Sequence, residues 1–252
     1  LLARPPGGAA LWSRTNYRRR TISLLGGPAV SAGCAVGVLA ARAPTAGLIV
    51  VTGCGTAGLL DDLRGNADAR GLRGHLGALR RGRITTGAAK IAIVGLTGVA
   101  AAAVAARRRA AAAPARPLTD LMIDTALVAG CANLINLLDL RPGRAAKAAV
   151  LAAVPLLVTG GAPAAAAAAG ASCALLPADL REEVMIGDCG ANVLGGLLGL
   201  AVVRGFRRPA RAVVLVAVTA LTLASERISF SAVIEQVPAL RRIDQLGRLP
   251  AE

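Results

Sequence analysis

The sequence predicts an all-α, polytopic integral membrane helix bundle of about eight transmembrane helices, and three observations carry that expectation. Hydrophobic residues make up 55% of the 252 residues, charged residues only 17%, and the mean hydropathy is +0.60. A soluble chain of this length needs more polar surface than that. The apolar residues gather into eight runs joined by short basic connections. Aromatic residues are only 2%, with Ala, Gly, Val and Leu dominant, a composition that lets helices approach closely in lipid.

The runs fall at 22–41, 46–60, 87–106, 121–138, 145–158, 162–176, 187–203 and 210–224. Several are shorter than the roughly 20 residues that cross the hydrocarbon, so their ends must extend into flanking residues. The alanine-rich stretch 164–169 resembles a linker in composition. It is kept as helix because removing it would put Asp139 and Asp188 on opposite faces. Residues 1–252 form a single membrane-embedded domain. The chain starts at Leu1 rather than Met, and Leu1 and Leu2 are expected to end a helix that precedes it.

Net charge is +15, which raises the question of nucleic acid. With Phe at two positions and single Trp and Tyr residues, there is almost nothing to stack bases, so no nucleic-acid partner is expected. The cations serve topology and anionic headgroups or phosphates instead. Entry from the cytoplasm puts Arg4, Arg14, Arg18, Arg19, Arg20, the loop with Arg64, Arg73, Arg80, Arg81 and Arg83, then Arg141, Arg144, Lys147, Arg181 and the arginines from Arg227 to Arg248 inside. Outside lie Arg42, the run at 107–109, Arg116, Arg204, Arg207, Arg208 and Arg211. The balance is roughly two to one by the positive-inside rule. The five cysteines form no C-x-x-C pair and read as small buried hydrophobes. His75 is the only histidine, so a histidine metal site or a serine triad is not expected.

This threading sends the polar clusters to one face. Asp61 and Asp62 end the second segment, Asn133, Asn136 and Asp139 end the fourth, Asp188 begins the seventh, and Glu226 ends the eighth. Carboxylates there are expensive near lipid and line polar cavities. Adjacent Asp61 and Asp62 repel each other unless a cation or proton intervenes. They suit Mg²⁺, a metal-bound phosphate or proton acceptance, against the plain alternative of a solvated helix end. Asn133, Asn136 and Asp139, at spacings of three, share about a third of a helix circumference. They suit a nucleotide or metal, or else interhelical hydrogen bonds. In Gly187-Asp188-Cys189-Gly190, an acid between glycines opens a helix, as an anion site or as a cap. Lys90 lies just inside a segment, where a charge needs a reason. Asp124 lies roughly 22 Å along its helix from Asp139 at 1.5 Å per residue, too far to share an ion.

Taken together, the Asp-Asp end, the Asn-x-x-Asn-x-x-Asp helix and the Gly-Asp-x-Gly start resemble glycosyltransferase family 4. That family contains phospho-N-acetylmuramoyl-pentapeptide transferase and the polyprenyl-phosphate N-acetylglucosamine-1-phosphate transferases, and the likeness runs from about Asn16 to Gly247. The resemblance implies transfer of a sugar-1-phosphate, such as N-acetylhexosamine-1-phosphate, from a UDP-sugar to polyprenyl phosphate. UMP is released, with Mg²⁺ as cofactor. It implies a bacterial plasma membrane with the site on the cytoplasmic face, and it allows a homodimer. By the same resemblance Asp61 and Asp62 are the catalytic pair, Asp139 and Asp188 the metal ligands, and Asn133, Asn136, Lys90 and Arg64 the substrate-binding residues.

The pattern departs from the family in places. Leu63-Arg64-Gly65 follows the acidic pair where the family often has a lysine. Leu140-Arg141-Pro142-Gly143 replaces an acidic turn, removing a second carboxylate, and Ser225-Glu226-Arg227 stands where a late histidine loop is usual. The alternative is an inactive relative that binds lipid phosphate or assists assembly. A small-solute transporter fits the composition, but no internal repeat supports it.

Overall fold

The structure is a computed structural model that describes residues 5–42, 44–64, 85–110 and 118–250. Arg4, Arg73, His75, Arg80, Arg81, Arg83 and Arg116 lie outside the described residues. Each of the eight apolar runs forms a helical element. They are α2 (Gly26–Leu39), α3 (Thr45–Arg64), α4 (Thr86–Ala110), α5 (Leu118–Leu138), α6 (Arg144–Ala153), α7 (Ala162–Leu180), α8 (Gly187–Gly205) and α9 (Arg208–Ser225). A short 3-10 turn, Val154–Leu156, continues α6, because Pro155 removes a backbone donor there. The stretch 164–169 is helix, as expected.

Five of these helices, α3, α4, α5, α7 and α9, are long and apolar enough to cross a membrane. The expected count of eight is therefore met in helices but not in spans of that kind among the described residues. At 14 residues, α2 is too short to be counted with them. The run that began at 22 starts instead with a hairpin, β1 (Ser13–Thr15) paired antiparallel with β2 (Thr21–Ser23), with Arg14 opposite Ile22. A four-residue helix α1 (Ala9–Trp12) precedes it, and α10 (Phe230–Gln236) and α11 (Pro238–Gln245) follow α9.

The surface is inverted relative to a soluble bundle. Leu96 is 70% exposed and Val213 69%, with Val36, Met122 and Val216 also exposed, while the core is mostly Ala, Val and Leu. Apolar side chains facing outward at this density are what lipid solvates. The axis of the bundle is α8, buried from Cys189 to Val203. A helix surrounded by protein can spend its surface on glycine, and α8 does so. A Cβ on Gly199 would stand 2.6 Å from the Leu127 carbonyl oxygen and 2.7 Å from the Val128 Cα. Gly195 meets α5 one turn along, at Cys131 and Ala132. This small-xxx-small face brings the α5 and α8 backbones together, and with α3 packed on another side it fixes three helix ends beside one another.

The hairpin braces that end. The Ser23 N–H donates to the Glu183 carbonyl at 3.2 Å, and the Met185 N–H returns to the Ser23 carbonyl at 2.9 Å. Asn16 donates to the Glu182 carboxylate at 2.6 Å, and Trp12, Leu24 and Leu25 pack against Leu59 and Leu63 of α3. The hairpin thus ties the α7–α8 loop to α3. At the opposite end of the bundle a second polar group is buried. Arg211 of α9, 1% exposed, pairs with Asp124, while Arg208 reaches Asp120 at 3.1 Å. Asp120 and Asp124 therefore hold α9 to α5 far from the acidic end, in line with their spacing in the sequence.

Candidate active site

Three helix ends meet at the acidic face, and glycines make the meeting possible. Gly58 lies against the α8 start so closely that a Cβ there would overlap the Asp188 carbonyl group and the Cys189 nitrogen. One turn later the Asp62 carboxylate accepts the Asp188 N–H at 3.0 Å and the Cys189 N–H at 2.9 Å. Two of the four orphan donors of α8 are satisfied in this way, from another helix. The helix dipole adds to the attraction, because the N-terminal end is partly positive. Gly187 sits at φ +60°, and a Cβ there would lie 2.9 and 3.1 Å from the two Asp62 carboxylate oxygens. A left-handed residue with no side chain is needed for the backbone to turn its N–H groups toward Asp62. The Arg14 guanidinium donates to the Asp62 carbonyl at 2.5 Å, so the hairpin also grips the end of α3.

Asp61 and Asp62 therefore have different surroundings. Asp62 spends its carboxylate on backbone donors, whereas Asp61 faces the Lys90 ammonium of α4 at 3.4 Å. Lys90 also pairs with Asp188. The side chains of Lys90, Asp61 and Asp188 are 16%, 23% and 29% exposed, so the group is sheltered yet open to a ligand. The charge just inside α4 thus has its reason: it holds two carboxylates together that would otherwise repel.

Asp139, in the turn after α5, stands behind this group. Its Oδ2 and the Asn136 Oδ1 are buried without a hydrogen-bond partner among the described residues. Burial, then the negative charges of Asp179 and Asp188, hold the Asp139 carboxyl well above its ordinary value, with a hydrogen bond from the Gly187 N–H opposing them. Asp179, at the end of α7 and 3% exposed, accepts the Gly143 N–H at 2.9 Å and so shapes the turn that carries Asp139. Sequence reasoning noted the missing carboxylate after Asp139 and did not name Asp179. The signal was there: Asp179 ends an apolar run on the same face, two residues before Arg181. Asn133 is exposed and parts from Asn136 and Asp139, which are half-buried. Arg64 is exposed at the end of α3, and Glu226 is exposed at the end of α9.

Among the described residues, no three of His, Cys, Asp and Glu stand close enough to hold a metal ion by themselves. Asp188 shares a cation, Lys90, with Asp61 rather than with Asp139. That pair still fits Mg²⁺ chemistry. Mg²⁺ takes hard oxygen donors and is usually bound by one or two carboxylates, with waters and substrate phosphates completing its shell.

Beside the α5 end that carries Asp139 opens an apolar cavity of about 430 Å³. Leu134 and Leu138 of α5, Leu151 of α6, Leu221 of α9 and Phe230 and Ile234 of α10 line it, with Arg144 and Lys147 at its edge. A sheltered acid and ammonium group, a helix start whose backbone donors are held by Asp62 and Asp139, and an apolar groove thus share one end of a membrane bundle.

Searches of curated proteins and of solved structures found no match to this chain. The family model described as glycosyl transferase family 4 does match, over residues 44–206. That span runs from the start of α3 to the end of α8 and includes Asp61, Asp62, Lys90, Asn136, Asp139 and Asp188, and the chain belongs to glycosyl transferase family 4.

Proposed function

We propose that the protein transfers a sugar-1-phosphate, an N-acetylhexosamine-1-phosphate in the first instance, from a UDP-sugar to polyprenyl phosphate at the cytoplasmic face of a bacterial plasma membrane. Membership of a transferase family gives the reaction type. The single observation that supports the site is the joining of Asp61, Lys90 and Asp188 from three helices at one sheltered point.

In this reading a lipid-phosphate oxygen attacks the β-phosphorus of the UDP-sugar. The new phosphorus–oxygen bond forms as the bond to the bridging oxygen breaks, and UMP leaves with that electron pair. Two anions must meet, so positive charge at the site lowers the barrier. Lys90 supplies one such charge. Asp188 and Asp61 would hold Mg²⁺, which supplies further neutralisation when bound. Asp61 orients the attacking phosphate and accepts a proton if that phosphate arrives as the monoanion. Asp62 keeps the α8 start in place, a positioning role distinct from that of Asp61. The half-buried Asn136 offers an amide to the nucleotide, and the apolar cavity offers the isoprenoid chain a surface outside the aqueous phase.

The test is UMP release from a panel of UDP-sugars with purified protein, Mg²⁺ and polyprenyl phosphate. Asp61→Asn and Asp188→Asn are each expected to lower turnover by at least about a hundredfold, the usual worth of a positioned acid–base or charge group. Unchanged turnover in both would remove the proposed site. Lipid-phosphate binding without transfer for any UDP-sugar would favour the alternative, a non-catalytic relative that handles lipid phosphate.

A further inference from the structure

The segment 230–245 is attached to the bundle in an unusual way. Its two short helices, α10 and α11, bury a single residue, and that residue is Asp244, 8% exposed. Apolar packing contributes little to holding it, and a polar latch does the rest. The Arg144 guanidinium gives Asp244 two bonds, at 2.8 and 3.2 Å, and a third to the Ser231 hydroxyl at 2.8 Å. Arg248 adds a bond to Asp244 at 2.6 Å. The Lys147 ammonium donates to the carbonyls of Ile243, Asp244 and Leu246 at 3.1, 2.9 and 2.6 Å, capping the end of α11.

Two guanidiniums thus hold the Asp244 carboxylate and one ammonium holds the carbonyls beside it, against the apolar cavity that Arg144, Lys147 and Asp244 all help to line. Asp179 lies near enough to interact with Lys147 and Arg248 as well, so three cations face two acids and positive charge remains in excess. A guanidinium fork of this kind matches a phosphate as well as it matches a carboxylate. An apolar groove ending in a cationic cradle is complementary to a chain with an anionic head, and in this structure α11 supplies the anion itself.

We propose that Arg144, Lys147 and Arg248 form a staging site for the phosphate monoester of the lipid acceptor, and that Asp244 occupies this site as an internal competitor until the lipid displaces it. The proposal rests on the acceptor reading above and adds a second phosphate position, apart from Asp61 and Asp188, with a strap that closes it. Lipid arriving through the groove would exchange its phosphate for Asp244, lift α10 and α11, and move on toward the acidic group. Because binding requires the strap to open, apparent affinity is reduced by the fraction of time it is open.

The experiment measures binding and strap position separately from turnover. Polyprenyl monophosphate binding to the purified full chain is titrated in detergent, with polyprenol and inorganic phosphate as parallel arms, while hydrogen exchange follows residues 230–245. Asp244→Asn is expected to tighten polyprenyl monophosphate binding roughly tenfold, the change for a strap shut about nine-tenths of the time. In the parent protein, saturating lipid phosphate is expected to raise exchange in the strap, and polyprenol and inorganic phosphate to leave it unchanged. Ser231→Ala loosens the same latch without touching the Arg144–Asp244 pair. It keeps the test informative if Asp244→Asn misfolds, with a smaller tightening of about twofold expected. Weaker or unchanged lipid-phosphate binding in a folded variant would overturn the proposal, as would strap release by polyprenol or by inorganic phosphate alone. Absence of UMP release with strap release intact would instead count against the transferase reading and leave this one standing.

Discussion

Asp62 and Asp61 are neighbours in the chain, and their substitution should separate stability from chemistry. Asp62 accepts the Asp188 and Cys189 N–H groups at 3.0 and 2.9 Å. A net bond to a charged acceptor contributes about 1.5–3 kcal/mol. In Asp62→Asn one carboxylate oxygen becomes an NH₂ group that faces another donor. One bond is then lost outright and the other is weakened to a neutral one, so the expected cost is about 2–4 kcal/mol. For a chain of this size each kcal/mol moves Tm by about 2–4 °C, giving a drop of roughly 4–16 °C. Asp61 is partly exposed, and its partner Lys90 keeps Asp188. Asp61→Asn loses one ion pair at 3.4 Å and keeps a side chain of the same shape, so it should cost about 1 kcal/mol, while lowering UMP release at least about a hundredfold. Thermal unfolding in detergent and turnover on the same preparations decide the matter. An Asp61→Asn variant melting as low as Asp62→Asn, or an Asp62→Asn variant melting like the parent, would refute the division of roles.

Two further outcomes follow from the polar groups away from the acidic centre. Arg211→Met removes the buried guanidinium paired with Asp124 and should cost about 3–5 kcal/mol; Asp124→Leu in the same chain should restore most of the loss in thermal unfolding, and no recovery would show that the pair does not clasp α9 to α5. The strap should respond to acid. Burial alone would raise the Asp244 carboxyl, but hydrogen bonds from Arg144 and the charges of Arg248 and Arg144 outweigh it and hold the group below its ordinary value of 3.8. A depressed acid stabilises the folded form above its ordinary value, and that contribution disappears as pH falls through the lowered one. Exchange in 230–245, corrected for intrinsic rate, should therefore show a rise below about pH 4 in the parent that Asp244→Asn lacks; the same acid profile in both proteins would contradict the latch.

Much of the acidic centre was legible because charge in an apolar helix end is costly and therefore stands out. Asp61, Asp188 and Lys90 could each be marked from sequence, and the threading of the apolar runs sent Asp61 and Asp188 to one face. Their pairing could not be read, because it depends on how closely three helices approach. Gly58 and Gly187 set that distance, and only their surroundings show why a side chain is excluded. The same limit hid Asp179 and the Arg144–Asp244 latch, whose partners lie 36 and 100 residues apart in the chain.

By itself, then, the sequence determined a lipid-embedded helix bundle and the order of its eight apolar helices, since hydropathy and helical period are local properties written along the chain. It also singled out the glycine-flanked and acidic positions that mark the family. Tertiary structure alone decided which carboxylate holds a helix in place and which meets an ammonium. Adjacent residues on a helix point about 100° apart, and so Asp61 and Asp62, identical in kind, face different neighbours.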